Sequence, residues 1–310
     1  MTPNSLEEGE RLFEFAVAKC IEFNIKKIII MGDLFDTHAL IQSSVLNFYF
    51  KLFNKHHDFE FLCLVGNHDH ALRNRKEHAL VTFKSLSNVT IVDDIMHFED
   101  FDAMPYTGNE EFVELAKQKK SNILLCHHEF NGAQFENGFY SPNGIKSEDI
   151  SYNQVVSGHI HKIQEFGQIK YVGAPRWIHA SDANQERGIW LWDGKKDYKF
   201  FSTEDIVGKI IEIKVNENEQ LPNFSVNLKR VILKVSGTPK FIQEITEKYL
   251  GQAEIVPNIT ENEESVVSEA LGVNQALKKY ILNDYKMQYS ALNNEDLLKT
   301  IINRLNGCGS

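Results

Sequence analysis

The chain has 310 residues, with 33 Lys and Arg against 43 Asp and Glu and a formal net charge of −10. That length holds one large domain and a smaller one, and the acidic balance argues against a protein that coats nucleic acid by bulk electrostatics, though not against an enzyme whose metals bring positive charge to its site. No apolar stretch has membrane-spanning length, no signal-peptide pattern is read, and Cys20, Cys63, Cys126 and Cys308 lack paired spacing, so buried thiols in a reducing cytoplasm are expected.

Ser5-Leu6-Glu7-Glu8 reads as a capping box opening a helix along which Leu12, Phe13, Ala16, Val17 and Cys20 repeat at helical spacing. Ile28-Ile29-Ile30-Met31 is apolar without alternation, as in a parallel strand covered on both faces, and it ends at Gly32-Asp33-Leu34-Phe35-Asp36. A helix is predicted near 40–54; then Phe59–Val65 runs into Gly66-Asn67-His68-Asp69, and a further helix is predicted near 77–86. Asn122–Cys126 runs into His127-His128, and Asn153–Ser157 into Gly158-His159-Ile160-His161. Tyr171–Pro175 and Ile189–Asp193 read as later strands closing a second sheet.

This order predicts an α/β sandwich of mixed sheets flanked by helices, over residues 1–203. A small α+β module is predicted over 204–256, with strands at Lys209–Val215 and Arg230–Val235 and a helix near 239–250. Residues 257–310 read as a linker (257–264) and two amphipathic helices near 274–285 and 294–305. A chain that opens on a helix leading into a buried parallel strand normally carries a strand before that helix, because crossover units alternate.

Four strands therefore end in polar residues, at the edge where α/β sheets bind ligands. Asp33 can bridge two cations or cap the next helix, and Asp36 is the better capping candidate. Asn67 offers an amide oxygen to a hard cation; His68 can protonate a leaving oxygen, with Asp69 orienting its ring. Adjacent histidines on an extended segment point opposite ways, so His127 is assigned to the site and His128 to solvent or substrate. His159 and His161, two apart at a strand end, point to one side and suit one His for each of two metals. His38, His56, His57, His70, His78, His97 and His179 are read as surface or supporting residues, with His70 and His179 nearest the site. Arg73, Arg75, Arg176 and Arg187 suit either phosphate or ordinary ion pairs.

These motifs, in this order, resemble the calcineurin-like metallophosphoesterases, and within them the DNA-repair nuclease branch of SbcD and the T-even phage recombination exonuclease subunits. The likeness covers residues 5–203, and His127–Gly132, Tyr171–Trp177 and Arg187–Trp190 carry the finer match. The resemblance implies two divalent ions, Mn²⁺ or Mg²⁺, with Asp33 bridging, Asn67, His127 and His159 completing the second, and His161 on the first. It implies His68 as the catalytic imidazole and Asp69 as its orienter, in hydrolysis of DNA phosphodiesters during recombination, repair and replication. The implied partners are DNA, an SbcC-type coiled-coil ATPase and a second copy of the chain, in the cytoplasm, that of a host if the chain is phage-encoded. The family's remaining first-metal ligands come from an Asp-x-His that has no counterpart before Gly32, so weak or absent activity is expected of the chain as it stands. Competing readings are a phosphomonoesterase or nucleotide phosphodiesterase on the same core, or a non-catalytic scaffold subunit.

Overall fold

A computed structural model describes residues 3–36, 41–70, 77–195, 198–224 and 228–259. Helix α1 (Pro3–Glu22) leads into strand β1 (Lys27–Ile30), α2 (Ser43–Lys55), β2 (Glu60–Leu64), a 3₁₀ segment (Ala79–Ser85) and β3 (Val89–Val92). Strands β4 (Met96–His97) and β5 (Asp102–Met104) precede α3 (Asn109–Ala116), β6 (Ile123–Cys126), β7 (Gln154–Ser157), β8 (Gln164–Phe166) and β9 (Ile169–Tyr171). Strands β10 (Gly188–Trp192) and β11 (Tyr198–Ser202) are followed by α4 (Glu204–Val207), β12 (Lys209–Asn216), β13 (Leu228–Gly237), α5 (Pro239–Lys248) and β14 (Glu254–Ile259).

The strand order is β1-β2-β3 in one sheet and β4-β5-β6-β7-β9-β8 in another. The first is parallel throughout, with Ile29 opposite Leu62 and Leu62 opposite Thr90. In the second, β5, β6, β7 and β9 run parallel while β4 and β8 add antiparallel edges. Because strand side chains alternate, each sheet buries two faces. Leu62 and Leu64 of β2 meet Ala103, Leu125 and Val156 between the sheets. Phe61 and Cys63 face the other way, onto Val17 and Cys20 of α1 and Val45 and Phe53 of α2. Leu124, Cys126 and Val155 line the far side of the second sheet with Phe112 of α3, Phe130 and Ile145. The mixed two-sheet α/β architecture matches the expectation, and packing on both faces explains why Ile28–Ile30 of β1 and Phe61–Leu64 of β2 are apolar without alternation.

Local details differ. Helix α1 begins at Pro3, ahead of the expected Ser5 cap, because proline needs no N–H partner in a first helical turn. The helix predicted near 77–86 is a 3₁₀ segment. Only Tyr171 of Tyr171–Pro175 lies in β9, since its partner β7 stops at Ser157 where the chain turns toward His159. Strand β10 joins neither large sheet; it pairs antiparallel with β11, with Trp190 packed on Phe200 and Trp192 on Tyr198. Strand β14 runs through Pro257 to Ile259, into the segment read as a linker, as an edge strand in the order β12-β13-β14 where a missing N–H is tolerated.

Two compact units form. The first comprises Met1–Lys214, Gln220–Lys234 and Tyr249–Val256; the second, among the described residues, comprises Val215–Glu219, Val235–Lys248 and residues 257–259. In the first, Trp177, Val207, Ile210 and Ile232 close a further apolar cluster with Leu12. In the second, Glu217 accepts hydrogen bonds from the Thr238 N–H (2.8 Å) and hydroxyl (2.9 Å) at the start of α5. The helices predicted at 274–285 and 294–305 lie outside the described residues. Among the described residues no helix is long and apolar enough to cross a membrane.

Candidate metal centre

The ligand residues sit just beyond the carboxyl ends of β1, β2, β6 and β7, parallel strands drawn from both sheets. Two glycines let the loops close in. A Cβ on Gly32, whose φ is +99°, would lie 2.2 Å from His127 Nδ1, and one on Gly66 would lie 2.2 Å from Asp33 Oδ1. Asp33 itself takes φ +53°, a left-handed conformation that costs a non-glycine residue on the order of 1 kcal/mol and persists only where surroundings hold it. They do hold it: the Asp33 N–H donates to Asp69 Oδ2 at 2.9 Å, and Asp33 Oδ1 accepts from the His68 N–H at 2.8 Å.

Four donor atoms converge. His127 Nε2 lies 3.1 Å from Asp33 Oδ2 and 3.1 Å from Asn67 Oδ1; His159 Nδ1 lies 3.0 Å from Asn67 Oδ1 and 3.2 Å from His127 Nε2. The other ring nitrogen of His127 donates to the Met31 carbonyl at 2.7 Å, so in the neutral imidazole Nε2 presents a lone pair. A carboxylate, an amide oxygen and two imidazole nitrogens thus aim lone pairs at one point, which only a proton or a cation satisfies. Donors sharing a cation octahedrally at about 2.1 Å stand about 3 Å apart along each edge. The residues fit a divalent ion, and carboxylate, amide and imidazole without thiolate suit the harder ones. Asp33, His127 and His159 form a cluster able to hold a metal.

Without a metal, a proton shared by His127 and Asp33 takes the place of a cation, and a cation must displace it. Burial pushes the Asp33 carboxyl up, but the His127 ring and the His68 N–H outweigh it and hold it at about 2. Burial pushes His127 down, but the bond to Asp33 and its charge win and raise it above the ordinary imidazole value. His159 is driven down to about 3 by burial and by the neighbouring His127, so its ring is neutral and able to ligate.

His161 is not a member of that cluster; burial lowers its pKa, and it lies one residue beyond Ile160 on the same loop. Asp69 does not take the expected role of orienting His68. Its buried carboxylate accepts backbone N–H groups from Asp33 (2.9 Å), Phe35 (3.0 Å) and Gly66 (2.8 Å), tying the two loops together. The His68 ring instead donates from Nδ1 to the Asp36 carbonyl at 3.2 Å. His128 faces neither solvent nor substrate: it is buried, with Nε2 3.1 Å from the Thr107 carbonyl and its ring against Phe112. Arg187 is buried in an ion pair with Asp182, and Arg73 and Arg75 lie outside the described residues, as does His38.

Sequence reasoning missed three neighbours of the centre. The Met31 carbonyl orients His127. Tyr106 stacks on His159 with ring centroids 5.7 Å apart, and Glu129 lies 4.0 Å from His159 Nε2. A backbone carbonyl leaves no side-chain signal, whereas Glu129, directly after His127-His128, was open to notice.

Comparison with known proteins agrees with this geometry. Residues 6–163 match the family described as calcineurin-like phosphoesterase. The chain is 25% identical over 284 residues to exonuclease subunit 1 of Enterobacteria phage T4, spanning 75% of this chain and 81% of that protein. It is 21% identical over 308 residues to the DNA double-strand break repair protein Mre11 of Nanoarchaeum equitans (strain Kin4-M), spanning 86% of this chain and 83% of that one.

Proposed function

The chain belongs to the calcineurin-like phosphoesterase family, and on that premise we propose that it is a metal-dependent DNA nuclease subunit of phage-type recombination and repair. The observation that carries this is the convergence of Asp33, Asn67, His127 and His159 at edges of 3.0 to 3.2 Å. Those four residues would hold one divalent ion, Mn²⁺ by preference, and Asp33 and His161 would serve a second. When bound, the ions polarise the phosphoryl oxygen and lower the pKa of water. The protein's part is to align the ligands and to move a proton. Donation from Nδ1 to the Asp36 carbonyl sets the His68 tautomer and makes Nε2 the nitrogen that exchanges a proton with the reacting phosphate ester.

One relative is named as an exonuclease subunit and the other as a DNA double-strand break repair protein, and the two together support DNA as the substrate. In the same reading residues 204–256, with β14 carried on to Ile259, form a DNA-capping module, the residues after it to 310 a linker and tail docking on an SbcC-type coiled-coil ATPase, and 1–203 the nuclease domain. The test is release of nucleotides from linear duplex DNA at millimolar Mn²⁺. In a chain extended by an N-terminal strand that ends in Asp-x-His, His68→Ala should abolish cleavage yet still bind Mn²⁺. Turnover of para-nitrophenyl phosphate with duplex DNA left intact would replace this reading with a phosphomonoesterase. Deleting residues 265–310 should abolish ATPase capture; unchanged capture would remove the docking assignment.

A further inference from the structure

Arg187 is 1% exposed, and with Asp182 it forms an ion pair at 2.7 Å whose side chains are 0% and 2% exposed. Such a pair is an expensive way to stabilise a fold, because desolvating both charges offsets most of their attraction. Its geometry suggests what it does instead. One guanidinium nitrogen, NH2, donates to Asp182 Oδ1, and the other, NH1, donates to the backbone carbonyl of His161. Asp182 Oδ2 in turn accepts the N–H groups of Ile178 at 2.7 Å and His179 at 2.8 Å. The Arg187 carbonyl accepts from the Thr203 N–H at 3.1 Å, which anchors the base of the fork where β10 pairs with β11. The His159–His161 loop follows directly on the end of β7, and in addition its His161 carbonyl takes one long bond from the Ala174 N–H at 3.3 Å.

We propose that the Arg187–Asp182 pair is a positioning device for the metal centre: it fixes the His161 carbonyl and so aims the His159 and His161 rings. This deepens the metal-centre reading and rests on it. Arginine suits the task and lysine does not. A planar guanidinium serves a carboxylate and a carbonyl at once from two nitrogens at a fixed angle, whereas an ammonium is a single flexible point. Neither residue touches the converging donor atoms, so both act through the loop.

The experiment compares wild type with Arg187→Lys and with the double variant Asp182→Asn/Arg187→Met. The double variant leaves no unpaired buried charge and keeps an oxygen for the Ile178 and His179 N–H groups. Folding is read by circular dichroism and thermal unfolding without metal, and Mn²⁺ affinity by titration of free Mn²⁺ in electron paramagnetic resonance, with no DNA present. Both variants should fold, the double variant melting close to wild type, and both should bind Mn²⁺ at least about tenfold more weakly, the loss typical of removing a group that orients a metal ligand. Wild-type Mn²⁺ affinity in either folded variant overturns the proposal. Failure of both variants to fold also overturns it, since a pair that only aims a loop is dispensable to the fold. No Mn²⁺ binding by wild type itself overturns the metal-centre reading, an outcome distinct from unchanged variants.

Discussion

Asp69 shows how one carboxylate builds the centre without being a ligand. Replacing it with Ala leaves the buried N–H groups of Asp33, Phe35 and Gly66 without an acceptor. At about 1 kcal/mol or more for each orphaned donor, Asp69→Ala should cost roughly 3 kcal/mol or more in urea unfolding. Titration adds a second expectation for the metal-free chain. Asp33 at about 2, and Asp102 and Asp182 below the ordinary 3.8, contribute stability that is present above 3.8 and lost as pH falls through their folded values. For Asp102 burial opposes ionisation, but the His97 ring, the Lys120 and Ser121 N–H groups and the Tyr152 hydroxyl outweigh it. For Asp182 burial is outweighed by the His179 and Ile178 N–H groups and by Arg187. His159, at about 3 against 6.5 unfolded, loses stability as pH falls below 6.5. Asp69 runs the other way: burial raises it to about 7, so its contribution is complete below 3.8 and lost as pH rises through about 7. His161, also lowered by burial, loses stability below 6.5 as His159 does, so between 6.5 and 3.8 two losses run against the one gain from Asp69, and below 3.8 the lowered carboxylates join them. Stability measured against pH should therefore decline gently below about pH 6.5 and fall steeply below about pH 4. The sequence marked Asp69 as a site residue by its place after Asn67-His68. It did not show where the carboxylate points, because two of its three donors lie 34 and 36 residues away.

Among the elements, the parallel strands carry the design. Their apolar runs were legible because burial on both faces removes alternation, and the ligands were legible because each stands within a few residues of a strand end. The loops they enter depend on close approach. Gly66→Ala would drive a methyl group into the Asp33 carboxylate, now 2.2 Å from that position. It should leave circular dichroism unchanged and weaken Mn²⁺ binding at least tenfold, as calorimetry would register. Leu64→Ala tests the other side of the same element. Leu64 is fully buried between the sheets, and its truncation should cost about 2–5 kcal/mol in urea unfolding. Elements at the periphery were read less well: the segment near 77–86 is a 3₁₀ turn, and β10 pairs with β11 alone, outcomes set by neighbours distant in sequence.

For the whole molecule, metal binding and folding are linked, since the four donors come from residues 33 to 159 and meet only in the folded chain. Mn²⁺ at a hundredfold excess over its Kd should add about 2.7 kcal/mol to unfolding free energy, and His127→Ala should remove that increment. By itself the sequence determined the class of fold and the residue types of the centre, because strand periodicity and the polar residues at strand ends are local properties. The tertiary structure alone decided how those residues are aimed. His127 is turned by a carbonyl 96 residues away, Asn67 meets His127 and His159 at separations of 60 and 92, and Asp69 ties two loops through their backbones. Orientation arises from hydrogen bonds between distant segments, and these exist only once the two sheets have packed.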